Sequence, residues 1–329
     1  MNPKQLGATG VVVLIAVVLG WVATKYIRDD DAMQDSNALS RGMGLPVAWL
    51  YYNNSEVNSR NWTDFQARSS RVINVPFLNL CYEAAVKHLG QSYRVEVIGG
   101  LADLAVRLGG WDKMPVPLQN PDAVVNEPEM NWIRSVVLAK WGGLWVSPST
   151  VWLKNMDVPQ KEESDPKKKK VIFFGMDSDV TFTGPGGTGV PGLRVVWSPI
   201  PEHPVWIAWE SRARERLERR SGGSEFRHDE KSDTADALRD FGDSVMVLPL
   251  VELGRKGAAG RRIQLEDLLA AGQEGVLPFE VTTESRYAFI PWNEIKRRSA
   301  FGWFLRMSEE QILSSDLAIS WLFKMALNV

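Results

Sequence analysis

From Leu6 to Thr24 the chain carries no charged side chain. At a helical rise of ~1.5 Å per residue that stretch covers roughly 28 Å, close to the hydrocarbon thickness of a bilayer. Lys4 precedes it, and Trp21, Lys25, Tyr26 and Arg28 close it, which are the aromatic and basic types that sit at membrane interfaces. A cleaved signal peptide is the alternative, but its apolar region spans only about 7–15 residues and ends at a small-residue cleavage site. Nothing after Gly20 supplies such a site. The expectation is a single-pass N-terminal membrane anchor over residues 1–28. Basic residues flank both sides (Lys4 against Lys25, Arg28 and Arg41), so the charge rule leaves its orientation open.

Residues 29–44 are polar and lack apolar periodicity, as expected of a stalk, which leaves 45–329 for one large folded domain. A net charge of −2 with both signs interspersed implies no general affinity for nucleic acid. Cys81 is the single cysteine, so no intrachain disulfide forms and stability must come from the core. Two glycosylation sequons, at Asn53 and Asn61, matter only if the domain faces a secretory lumen.

Short apolar runs then alternate with amphipathic ones. Val47 to Tyr52, following a Gly-Leu-Pro break, suits a first buried strand. Phe77 to Leu89 places Leu78, Cys81, Ala85 and Leu89 at helical spacing behind Pro76, with a stop at Gly90. Tyr93 to Ile98 reads as a strand, and Leu101 to Leu108 as a helix. Glu127 opens a third helix carrying Trp132, Val136, Ala139 and Trp141, which halts at Gly142-Gly143 before the strand Leu144 to Val146. Val171–Phe174 and Leu193–Trp197 are two further strands, and Pro204 starts a helix with Trp206, Trp209, Ala213 and Leu217 on one face. Ser308 and Gln311 form a capping box, with Met307 and Ile312 as its hydrophobic staple. Such alternation predicts an α/β fold with a mostly parallel sheet flanked by helices.

One segment carries a resemblance. Asn131 and Arg134 lie on the helix that reaches Trp141-Gly142-Gly143, and the strand Leu144-Trp145-Val146 then leads into Ser147-Pro148-Ser149 and on to Lys154. This resembles the nucleotide-sugar glycosyltransferases of the GT-A fold, of the capsular-polysaccharide-synthesis and mannosyl/galactosyltransferase type. Their pattern is Asp-x-x-Arg, a helix, aromatic-Gly-Gly, a short strand and Asp-x-Asp, and the order of elements from Val47 to Pro204 agrees with it. The resemblance implies a GT-A-like fold, a nucleoside diphosphate sugar donor, a glycan or protein acceptor, and a donor site drawing on Asn131, Arg134, Ser147, Ser149 and Trp49 in the first strand. It also implies a divalent metal, Mn2+ or Mg2+, on the Asp-x-Asp carboxylates. Here the chain departs from the pattern: Ser147 and Ser149 replace both carboxylates, and Asn131 replaces the leading Asp. Hard cations seek anionic oxygen, so a serine pair binds such a metal weakly.

Two features could compensate. Asp177 and Asp179 form a second Asp-x-Asp past a strand, as candidate ligands for a displaced metal. Arg255, Lys256, Arg261 and Arg262 surround a Gly-Ala-Ala-Gly loop, as candidate cations for a leaving diphosphate. Both also read as solvated turns. The glycine-rich run from Thr183 to Gly192 lacks the lysine and following helix of a phosphate loop and reads as a loop near the site. The Lys167–Lys170 run reads as a surface loop, His203 as a helix-start residue and His88 as helix surface, while His228 beside Asp229 and Glu230 lacks further ligands at metal spacing. The expected function is transfer of a hexose from a nucleoside diphosphate sugar. The alternative is a catalytically inactive descendant serving as a structural or interaction protein at a membrane or in an enveloped particle.

Overall fold

The computed structural model describes residues 44–54, 56, 73–160, 163, 165, 168–178, 190–221, 239–248, 252–253, 263–272, 281 and 283–329. The anchor and stalk expectations fall on 1–43, outside the described residues, apart from Gly44 at the end of the stalk. Among the described residues no helix is long and apolar enough to cross a membrane.

Nine strands and eight helices organise the described residues. In chain order they are β1 (Val47–Tyr52), α1 (Pro76–Leu89), β2 (Arg94–Gly99), α2 (Gly100–Leu108), α3 (Glu127–Trp141), β3 (Gly143–Val146), β4 (Thr150–Trp152), β5 (Val171–Ser178), β6 (Val190–Ser198), α4 (Pro204–Ser221), β7 (Val245–Leu248), β8 (Glu252–Leu253), α5 (Leu265–Leu269), β9 (Tyr287–Phe289), α6 (Trp292–Arg297), α7 (Glu309–Ser314) and α8 (Ala318–Leu327).

The main sheet has the order β2-β1-β3-β6-β5-β7. β1 pairs in parallel with β2 and β3, and β5 with β7. Only β6 runs against its neighbours, β3 and β5. The expected mixed α/β fold with a mostly parallel, helix-flanked sheet is therefore present, and the antiparallel strand has a simple cause. Eleven residues separate β5 from β6, and a parallel crossover needs about a dozen or more. β4, β9 and β8 form a second, three-stranded sheet.

Side-chain alternation along β1 divides the core. Ala48, Leu50 and Tyr52 join a cluster with α1 and the C-terminal helices, while Trp49 and Tyr51 face a second cluster with α2, α3 and α4. Trp206, Trp209, Ala213 and Leu217 are all buried on the expected face of α4. On α3 the buried residues include Trp132, Ile133, Val137 and Leu138, whereas Val136, Ala139 and Trp141 are only half-buried; α4 packs on the sheet directly as well, with Trp206 and Trp209 each 6.2 Å from the Phe173 ring. The Gly142-Gly143 stop has a steric reason. Both glycines have positive φ (63° and 90°), and a Cβ on Gly142 would lie 2.9 Å from the Ile200 carbonyl carbon.

α1 stops at Gly90 as expected, with the glycine in the right-handed region (φ −61°). One local expectation changes. His88 is buried, because α8 covers it: its Nε2 lies 2.9 Å from the Ala326 carbonyl and its Nδ1 3.0 Å from Asn155 Oδ1. The Ser308 capping box forms, with the Gln311 amide donating to Ser308 Oγ at 3.2 Å and the Ser308 amide donating to Gln311 Oε1 at 2.9 Å.

Candidate functional site

A cleft of about 1120 Å³ opens at the carboxyl ends of β1 and β3. Open α/β sheets place ligand sites at such strand ends, where loops leave the sheet in different directions. Tyr51 and Trp145 contribute from the strands, Leu101 from α2, Met130 and Arg134 from α3, and Leu193 and Arg194 from β6. Phe289, Trp292 and Lys296 bring the C-terminal part of the chain to the same space. The cleft thus runs across the sheet from the end of β2, past β1 and β3, to β6.

Ser147-Pro148-Ser149 lies where the chain passes from β3 in the main sheet to β4 in the small one. Its backbone is fixed on both sides. The Ser147 amide donates to the Arg194 carbonyl at 2.7 Å, the Ser147 carbonyl accepts from Thr150 Oγ1 at 2.8 Å, and the Ser149 carbonyl accepts from the Ile290 amide at 2.9 Å. Arg134 is 5% exposed and lies 5.8 Å from the Trp145 ring centre, with one terminal nitrogen donating to Asn131 Oδ1 at 3.3 Å. Arg134, Ser147 and Ser149 therefore line the same cleft.

Two other expected donor contacts lie elsewhere. Asn131 does not line the cleft; it is 1% exposed, and its side-chain oxygen also accepts from Trp209 Nε1 at 3.1 Å, which ties α3 to α4. Trp49 also stands outside it, donating from its indole nitrogen to the Gly142 carbonyl at 2.9 Å and packing on Trp141 at 5.3 Å. Both polar groups are occupied in packing the α3 side of the core. Asp177 lies in β5, but its side chain and all of Asp179 fall outside the described residues, as do Arg255, Lys256, Arg261 and Arg262. His228 and residues 183–189 of the glycine-rich run fall outside them too.

Sequence reasoning missed Glu56 and Arg194. Glu56 is 4% exposed yet reaches the cleft, where its carboxylate accepts from Trp292 Nε1 at 2.8 Å and the Asn53 amide at 3.0 Å, with Lys296 Nζ at 3.6 Å. Burial, reinforced by the charge of Glu56, pushes the Tyr51 phenol far above its ordinary value. Tyr51 is thus a hydrogen-bond donor at neutral pH and not a base. Arg194 is held from behind by Glu252, whose two oxygens lie 3.1 Å from one of its nitrogens, and its guanidinium sits 4.2 Å from the Phe289 ring centre.

The donor set at this turn does not fit Mn2+ or Mg2+. Serine hydroxyls are neutral, the nearby Glu56 carboxylate is engaged by Trp292 and Lys296, and among the described residues no group of three His, Cys, Asp or Glu could hold a metal. The cleft lining offers Arg134, Arg194, Lys296 and Arg297 as cations, beside the carboxylates of Glu56, Asp122, Glu127 and Glu294. The described residues therefore define a mixed α/β protein with a strand-end cleft of mixed charge and aromatic walls. A scan against protein-family models finds no match, and a search of curated proteins finds none either.

Proposed function

We infer that this chain is a GT-A-like nucleotide-sugar-binding protein whose ancestral reaction moves a hexose from a nucleoside diphosphate sugar to a glycan or protein hydroxyl, without a metal at the usual position. One observation carries the reading: Arg134 and the Ser147-Pro148-Ser149 turn, the two ends of the segment that resembles the transferases, line the same cleft. The reach of that cleft across the sheet suits an extended ligand with two ring systems joined by a diphosphate. Phe289 and Trp292, both partly exposed, offer aromatic surface for base and sugar, and Arg134 offers charge-assisted hydrogen bonds to phosphate. Calorimetric titration of the full chain with nucleoside diphosphate hexoses tests this reading. Arg134→Ala should weaken binding by on the order of 1.5–3 kcal/mol, one hydrogen bond to a charged group. Equal binding by variant and parent places Arg134 outside the donor site.

A second reading has its own support. The neutral Ser147–Ser149 pair removes the carboxylates on which the related enzymes' metal chemistry depends, which favours an inactive descendant with a structural or interaction role. Binding of donor without any release of nucleoside diphosphate would select that reading. In both, the uncharged segment from Leu6 to Thr24 holds the domain at a membrane. The full chain should then stay with the membrane fraction through carbonate extraction.

A further inference from the structure

Arg194 enters the cleft through an irregularity in the sheet. Along the β5/β6 pair, Phe174 stands opposite Val195 but Met176 opposite Pro191, so two steps on β5 match four on β6. Such a bulge re-aims side chains, and here the consecutive residues Leu193 and Arg194 both line the cleft, where a regular strand would send them to opposite faces. The same residue stays in register on its other side, its carbonyl receiving the Ser147 amide at 2.7 Å. Arg194 is therefore locked beside the serine turn by its backbone and aimed into the cleft by the bulge.

Its side chain is equally constrained. Glu252 holds one nitrogen of the guanidinium at 3.1 Å, and Phe289 lies 4.2 Å from its carbon. The side chains of Arg194 and Glu252 are only 15% and 5% exposed. A planar fork held between an acid and an aromatic ring keeps its direction, which lowers the entropy lost when an anion docks. Arg134 repeats the pattern across the cleft wall, 5% exposed and 5.8 Å from the Trp145 ring centre. Two ring-backed guanidinium groups thus line the same cleft as the Ser147-Pro148-Ser149 turn, where the related transferases carry metal-binding carboxylates.

We propose that Arg194 and Arg134, with the Ser147-Pro148-Ser149 turn between their elements, form a phosphoryl-oxyanion site that holds the diphosphate of the donor in place of a metal. Guanidinium pairs suit this ligand because each presents parallel N–H donors to two oxygens of one phosphoryl group. The assignment deepens the donor-site reading given above and rests on it for the identity of the ligand, but not for the anion chemistry.

The test uses the full chain in detergent, with EDTA throughout and inorganic pyrophosphate as probe in calorimetry. Pyrophosphate should bind without metal and more tightly than orthophosphate. Arg134→Gln and Arg194→Lys should each weaken it about tenfold or more, the loss of one charge-assisted contact, with unchanged thermal unfolding. Arg194→Lys leaves a cation for Glu252. Should it still unfold, Arg194→Gln/Glu252→Gln removes both charges together, and the same loss of pyrophosphate binding is expected. Pyrophosphate affinity unaltered in these variants, or binding that appears only with Mg2+, overturns the site. The two readings fail separately. Pyrophosphate binding without nucleotide-sugar binding sinks the donor reading and keeps the oxyanion site; nucleotide-sugar binding insensitive to Arg194 does the reverse.

Discussion

Glu252 occupies the space that a side chain at Gly175 would need. A Cβ built on Gly175 would collide with Glu252 Oε2 and lie 3.0 Å from both Glu252 Cβ and the Tyr287 hydroxyl. Gly175 also has φ +100°, a conformation that L side chains rarely adopt. The missing side chain in β5 admits Glu252, Glu252 holds Arg194, and Arg194 lines the cleft.

Gly175→Ala should therefore destabilise the fold by about 1–3 kcal/mol from backbone strain alone, and more once Glu252 is displaced. Urea unfolding measures the cost. An unchanged midpoint would show that β5 can relax and that Glu252 does not depend on the glycine.

Removing one partner of the Arg194–Glu252 pair should cost far more than removing both, because both side chains are largely buried. Glu252→Ala leaves a guanidinium uncompensated, at about 3–5 kcal/mol, whereas an apolar pair such as Arg194→Met/Glu252→Leu should come within about 1–2 kcal/mol of the parent. A double-mutant cycle in urea gives the coupling directly. Additive losses would mean that the two groups do not interact.

The contacts of Glu56 should be unequal in strength. Trp292 packs 5.1 Å from Phe77 and donates to the buried Glu56 carboxylate at 2.8 Å. Trp292→Phe keeps the ring but loses that hydrogen bond, at about 1.5–3 kcal/mol. The Lys296 side chain is 41% exposed and lies 3.6 Å from Glu56. Lys296→Met should therefore cost at most about 1 kcal/mol. Unfolding midpoints compare the two, and a larger loss for Lys296→Met would reverse the ranking.

His203 should make the fold acid-sensitive. Burial pushes its imidazole below the ordinary value of 6.5, with hydrogen bonding to the Lys169 backbone opposing the shift. The folded state therefore binds the proton less readily than the unfolded chain. This contribution to stability is complete above about pH 6.5 and is lost as pH falls from there through the folded value. His203 Nδ1 also accepts from the Val205 amide at 3.3 Å. Asparagine can reproduce that capping contact without the titration. His203→Asn should flatten the pH dependence of the urea midpoint below about pH 6.5. An unchanged slope would assign the acid sensitivity to other groups.

Legibility followed the range of the interactions. β1, α1, the α3–β3 unit and α4 were readable because periodicity, proline starts and glycine stops act within a few residues of one another. β4, β8 and β9 were not, since they hold three, two and three residues and exist only through pairings such as Thr150 with Phe289. His88 read as surface because nothing near it announces that α8 folds over α1. At the site, Arg134 and the serine turn were legible from their shared segment. Glu56 meets Trp292 236 positions away, and Arg194 depends on a bulge that leaves no local pattern. Asn131 and Trp49 look like ligand groups in sequence, but buried packing uses their hydrogen bonds.

Phosphorus NMR of a nucleoside diphosphate hexose, titrated with the full chain in EDTA, tests the central claim most directly, because the diphosphate nuclei report where the donor is held. Both phosphorus resonances should shift or broaden as protein is added without metal, and Arg134→Gln or Arg194→Lys should reverse the change. Resonances that stay unperturbed in EDTA and respond only after Mg2+ is added would contradict a metal-free donor cleft.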